Sequence, residues 1–137
     1  MDPFTIATTC VGLISAIAQL SSQIKQFVSN FRDTRKDLES VTAELQSLSM
    51  CLECLQNDYS NERVSYPENI SKSLLAVLQN CEGVTTQMQA LLDQASSASV
   101  NKRLQWAMHG SQQMNTLRSS LEAHKSAIDI ALEMTTA

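Results

Sequence analysis

Between Asp2 and Lys25 the chain carries no charged residue, and nothing else in the sequence restricts its fold so strongly. From Phe4 to Leu20 the run is apolar almost all round, built from Phe4, Ile6, Val11, Leu13, Ile14, Ile17, Ala and Gly. Pro3 suits the first helical position, where its missing N–H is not needed, and Asp2 is placed to cap that helix. A helix without a polar face is sheltered by other helices or by lipid. The apolar run is about 17 residues long, at the lower limit for crossing a bilayer, and Thr8, Thr9, Ser15 and Gln19 dilute it. No basic region precedes it, so it does not read as a secretory signal. The expectation is a cytoplasmic protein whose first helix, about residues 3–31, is largely buried in a bundle.

The remaining chain supplies the other walls of that bundle. Leu38, Val41, Leu45, Leu48, Leu52 and Leu55 repeat at alternating steps of three and four, a heptad seam that predicts a helix over about 34–55. The polar stretch Asn57 to Pro67 reads as a loop. Ile70, Leu74, Val77, Cys81, Val84, Met88 and Leu91 predict a third helix over about 68–95, in which Gly83 is expected to mark a bend or a close crossing. A short helix over about 101–109 and a long one over about 111–134 complete the set, the latter with a seam of Met114, Leu117, Leu121, His124, Ile128 and Leu132. Trp106 is expected on the end of the bundle. Strand patterns are missing, and 137 residues suffice for one core. The fold class is therefore all-α: one domain, 1–137, an antiparallel bundle of four long helices plus one short helix.

Charge and chemistry exclude several functions. The formal net charge of −4 argues against nucleic acid as a partner. Lys25, Arg32, Arg35 and Lys36 gather near one end of helix 1. They read as solvated charge or, alternatively, as contacts to phospholipid headgroups. Cys51 and Cys54 form a CxxC among leucines, without the further ligands a zinc site needs, so all four cysteines read as small buried hydrophobes. Three scattered glycines cannot build a phosphate loop, and no nucleophile–base pair or carboxylate pair is apparent. No catalysis, cofactor or metal is expected. His124 lies on the apolar stripe and reads as a hydrogen-bonded boundary histidine. Thr8, Gly12 and Ala16, four apart, suit a close helix approach. Packing within the bundle is the first reading of that stripe and self-association the second.

Two stretches resemble the N-terminal helical domain of fungal STAND (NACHT or NLR-like) receptors, the HeLo-like family. One is the opening Met-Asp-Pro and its Gly-containing apolar helix, MDPFTIATTCVGLISAIAQLSSQIKQFV. The other is the closing pattern of Arg103, Leu104, Trp106 and Ala107, then Leu117, Leu121, Glu122, His124 and Lys125, then Ala131 and Leu132. Gly110-Ser111 departs from the charged turn of many members, which leaves the break between the last two helices open. The resemblance implies a signalling or effector domain, in proteins where a nucleotide-binding switch usually follows, and relatives are tied to regulated cell death at membranes. Some relatives sit instead in secondary-metabolite gene clusters.

Two classes of function follow. In the first, the domain signals through a protein partner or homo-oligomer and, once activated, moves to the membrane. Phe4, Ile6, Val11, Gly12, Leu13, Ile14 and Ile17 are then the membrane or self-association face. In the second it is a structural adaptor, or a carrier whose methionines (Met50, Met88, Met108 and Met114) line a cavity for a small apolar ligand.

Overall fold

The computed structural model describes residues 3–61, 66–96 and 106–136. Among them there are four long helices and no strand, as the periodicities require. They are α1 (Pro3–Asn30), α2 (Arg35–Ser60), α3 (Glu68–Ser96) and α4 (Ser111–Thr136). The charged knot after α1 is a single 3-10 turn, Arg32–Thr34. The buried Thr34 fastens it, its hydroxyl donating to the Phe31 carbonyl at 2.6 Å.

Two boundaries differ from expectation. Helix α2 runs on to Ser60, into the stretch Asn57–Pro67 that reads as loop. Its last turn is anchored by tertiary contacts that local composition does not reveal. Tyr59 is buried with its hydroxyl 2.7 Å from Ser71 Oγ. The Tyr66 hydroxyl donates to Asp58 at 2.9 Å, and the Tyr59 and Tyr66 rings stack with centroids 4.8 Å apart. The expected short helix 101–109 lies in part outside the described residues. Its described portion is a π turn, Trp106–Gly110, that runs without a break into α4.

Gly110 makes that join possible. It is buried, and a Cβ on it would lie 2.7 Å from Trp106 Cε3, so only a bare backbone lets the indole lie flat there. Gly83 has no such role: nothing lies within 4 Å of a Cβ built on it, and α3 passes through it as helix.

The core is one cluster. The heptad seam of α2 is wholly inside it, with Leu38, Val41, Leu45, Leu48, Leu52 and Leu55 at most 1% exposed. In α3 the stripe turns slightly, so that Leu78 and Leu92 are buried while Ile70, Val77 and Leu91 pack at the margin. The indole of Trp106 closes one end of the bundle, edge-on to Phe27 at 5.2 Å.

The order of helices around the core is unusual. Helix α1 packs on α2 and α3, and α4 packs on the same two, while α2 and α3 face each other across a diagonal. Consecutive helices run in opposite directions, as expected. Two of the four sides nevertheless pair helices that run the same way. Gln23 of α1 accepts from Gln89 of α3, and Phe27 shares a cleft with Ala95. Likewise Lys125 of α4 meets Ser47 of α2, and Asp129 meets Cys51. The tyrosine corner between Tyr59 and Ser71 is what carries the chain over that diagonal.

Helix α1 is covered less than its composition suggests. Two neighbours shelter one stripe, Ile6, Cys10, Leu13, Ile17, Leu20, Ile24 and Phe27, spaced by fours and threes. Only 28% of its most apolar 18-residue window is buried. The correction has a simple cause: a helix with two flanking neighbours presents roughly half its circumference to solvent. As far as Ile24 that half is filled without charge, mostly by Ala, Gly, Ser and Thr.

Candidate functional site

The seven residues expected to form one membrane or self-association face of α1 divide between two. Ile6, Leu13 and Ile17 point into the core and are at most 2% exposed, and Ile14 is half-buried at its margin. Phe4 (72% exposed) and Val11 (50%) lie on the opposite side with Gly12. At 100° per residue, Phe4, Thr8, Val11, Ser15 and Ala18 fall on one line down the helix, and all five are exposed. The stripe of Thr8, Gly12 and Ala16 flanks that line and is exposed as well. It therefore does not serve packing within the bundle, contrary to the first reading of it, and nothing lies within 4 Å of a Cβ placed on Gly12.

The basic group is dispersed. Lys25, Arg32, Arg35 and Lys36 are all exposed, but Asp33 and Asp37 stand among them. Arg35 pairs with Glu39 along its own helix at 3.5 Å. Exposed pairs of this kind contribute little.

The closing signature has structural work to do. Trp106 plugs the bundle end, and Leu121 is fully buried. Glu122 pairs with Arg118 at 3.2 Å on the surface of α4. His124 Nδ1 lies 2.6 Å from the Ser120 carbonyl of its own helix, in keeping with a boundary histidine. Lys125 crosses to α2, 3.3 Å from Glu44 and 3.1 Å from the Ser47 hydroxyl. Arg103 and Leu104 lie outside the described residues.

That crossing belongs to a polar seam which the heptad reading passes over. Glu44, Ser47 and Cys51 flank the leucines of α2 and meet Lys125 and Asp129 of α4. Glu44 and Lys125 are only 12% and 21% exposed, so the pair is largely withdrawn from water and each charge depends on the other. The Cys51 thiol donates to Asp129 Oδ1 at 3.2 Å. The signal was present as the 44–47–51 spacing, a polar flank one step round from the leucines.

The thiols correct another expectation. Cys10, Cys51 and Cys81 are buried, but Cys54 is exposed. The buried three are pushed up from an ordinary 9.0 to about 12, by burial in each case and, at Cys51, by the neighbouring Asp129 carboxylate as well. These three therefore stay protonated at neutral pH and are poor nucleophiles unless a base takes the proton. Among the described residues no group of three or more His, Cys, Asp and Glu is placed to hold a metal ion.

Nor do the methionines share a cavity. Met88 and Met114 are packed in the core and Met50 is 64% exposed, while the side chain of Met108 lies outside what is described. Two adjoining clefts of about 300 and 480 Å³ do run between α3 and α4, sharing Leu91, Gln94 and Gln113.

No curated protein and no solved structure matches the chain. One family model does, the N-terminal region of pigment biosynthesis cluster protein PigL, and it covers residues 1–137. A helical bundle with a tied polar seam and a leading helix uncharged as far as Ile24 is thus what this chain makes of that family's pattern, and the chain belongs to the PigL N-terminal family of pigment biosynthesis cluster proteins.

Proposed function

We propose that this domain is a non-catalytic interaction module that serves a secondary-metabolite gene cluster. It works in the cytoplasm by engaging a protein partner or a second copy through the outer face of α1. One observation carries the reading. Phe4, Thr8, Val11, Ser15 and Ala18 form an exposed line with no charged residue on it, flanked by Gly12 and Ala16. Surface helices of soluble domains normally place charge on that side. Small residues let a second helix approach closely, and Phe4 and Val11 add apolar area. The family description supports the pigment-cluster setting. The resemblance to N-terminal domains of STAND receptors supports the role of a module that passes a signal to attached or associated proteins.

Sedimentation over a concentration series, on the parent and on Val11→Lys with Ala18→Glu, tests it. The parent should exceed its 15.1 kDa monomer mass, or form a cross-link from a photoreactive residue at position 11 to one defined protein. The double variant should do neither while keeping its helical spectrum. A parent that stays monomeric and uncross-linked removes the reading.

A second reading rests on the same helix. Phe4–Asn30 is long and apolar enough to cross a bilayer, its most apolar 18-residue window having a mean hydropathy of 1.6. In this reading the domain is an effector of regulated cell death and α1 moves to lipid on activation. Withdrawal exposes Ile6, Leu13, Ile17, Leu20 and Ile24, at about 1.5–3 kcal/mol for each side chain. A trigger must therefore offset that loss. Dye leakage from anionic vesicles separates the two: a membrane effector releases dye and loses the ability with Val11→Asp, whereas an adaptor leaves vesicles intact.

A further inference from the structure

Cys51 and Cys54 lie one turn apart on α2, and the structure gives them opposite environments. Cys54 is exposed, whereas Cys51 is 8% exposed and donates its thiol hydrogen to Asp129 of α4. Helix geometry sets their Cα atoms about 5 Å apart, inside the range that disulfides span. Their Cβ atoms are about 5–6 Å apart and must approach by roughly 1–2 Å, so closing the bond distorts that turn of α2 locally. The other two cysteines are on α1 and α3 and fully buried.

We propose that Cys54, Cys51 and Asp129 form a peroxide-responsive modification site, in which an intrahelical disulfide replaces the Cys51–Asp129 bond that ties α2 to α4. Hydrogen peroxide reaches Cys54, whose thiolate attacks one oxygen. The O–O bond breaks, hydroxide leaves, and Cys54 becomes a sulfenic acid, its sulfur oxidised by two electrons. Cys51 is the resolving thiol. Asp129 takes its proton as the sulfur attacks Cys54, the S–S bond forms, and the S–OH bond breaks. The departing hydroxide collects that proton as water and Asp129 is again a carboxylate. The sum is two thiols and one peroxide giving one disulfide and two waters. Burial holds Cys51 as a thiol near 12, which explains why it needs a base beside it and why it does not react first. Once oxidised, Cys51 has no hydrogen to donate, and of the polar ties described between α2 and α4 the Lys125 crossing remains.

The test is intact mass and peptide mapping of the 137-residue chain after hydrogen peroxide. The expected product has lost two hydrogens, maps to Cys51–Cys54, and reverts with dithiothreitol. Cys51→Ser should stop at a sulfenic acid on Cys54 that dimedone traps, and Cys54→Ser should form no bond at all. Asp129→Asn should slow closure by about tenfold or more while leaving dimedone-trappable Cys54 in excess, a readout that mere loosening does not move. Oxidation should also raise amide hydrogen exchange at the α2–α4 seam relative to the reduced protein. The proposal is overturned if the folded chain only gains oxygen, if Cys10 or Cys81 enters the bond, or if Asp129→Asn closes at the parent rate.

Discussion

At the scale of single residues the three glycines are not equivalent, although each interrupts an apolar pattern. Gly110 lies under the indole of Trp106, where any side chain collides with the ring. Gly110→Ala should destabilise the domain by about 1–3 kcal/mol, the usual range for overpacking, and shift the Trp106 emission. Gly83→Ala should do the reverse and raise stability by about 0.4–1 kcal/mol, because the site is open and helical. Urea melts of the two variants check both signs. The polar seam gives a sharper contrast. Lys125→Met strands the Glu44 carboxylate away from water and should cost about 2–4 kcal/mol, discounted from a fully buried pair because both groups keep some exposure. Adding Glu44→Leu should recover most of that loss, since no charge is then left without its partner. If the double variant is as unstable as the single one, the seam is held by something other than this pair.

At the scale of elements, α1 shows what hydropathy conveys and what it conceals. The stripe Ile6, Cys10, Leu13, Ile17, Leu20, Ile24 and Phe27 steps by fours and threes and is buried, but inside a run that is apolar almost all round that repeat does not stand out. The expectation that the helix is largely buried was the wrong extension. Ala, Gly, Ser and Thr score as apolar or neutral, yet they bury little area and lose little when exposed, so composition alone cannot tell a covered face from a bare one. The split predicts opposite outcomes for neighbours. Leu13→Ala should lower stability by about 2–5 kcal/mol, whereas Val11→Ala, two residues earlier, should stay within about 0.5 kcal/mol. Thermal and urea unfolding of the pair measure this directly, and a costly Val11→Ala would place that residue in the core. The extension of α2 to Ser60 was not legible for a different reason. Tyr59 and Tyr66 sit in a polar stretch, and only their pairing with Ser71 and Asp58 turns it into ordered structure.

For the whole molecule, the number of helices and most of their faces could be read, but their arrangement could not. A heptad seam states which side of a helix is buried and carries no information on which neighbour lies there or in which direction it runs. The parallel pairs follow from the tyrosine corner and the seam, and both depend on residues distant in sequence. One global property does follow from the burial pattern. Cys10, Cys51 and Cys81 ionise near 9.0 when the chain is unfolded and near 12 when it is folded. Above pH 9 the unfolded state therefore releases protons that the folded state keeps. Stability is fully present below 9 and declines between about 9 and 12, by about 1.4 kcal/mol per pH unit for each thiol. Cys81→Val should flatten that decline by about a third, as measured by denaturant melts from pH 8 to 10.5. The position of Trp106 has a consequence for every such experiment. The sole indole sits beside Phe27 and Gly110, at the pole opposite Phe4, Tyr59 and the last turn of α4. Its fluorescence will report the melting of its own pole and stay silent while the first turns of the leading helix fray. A spectroscopist following that signal alone would describe as intact a molecule already open where its bare face begins.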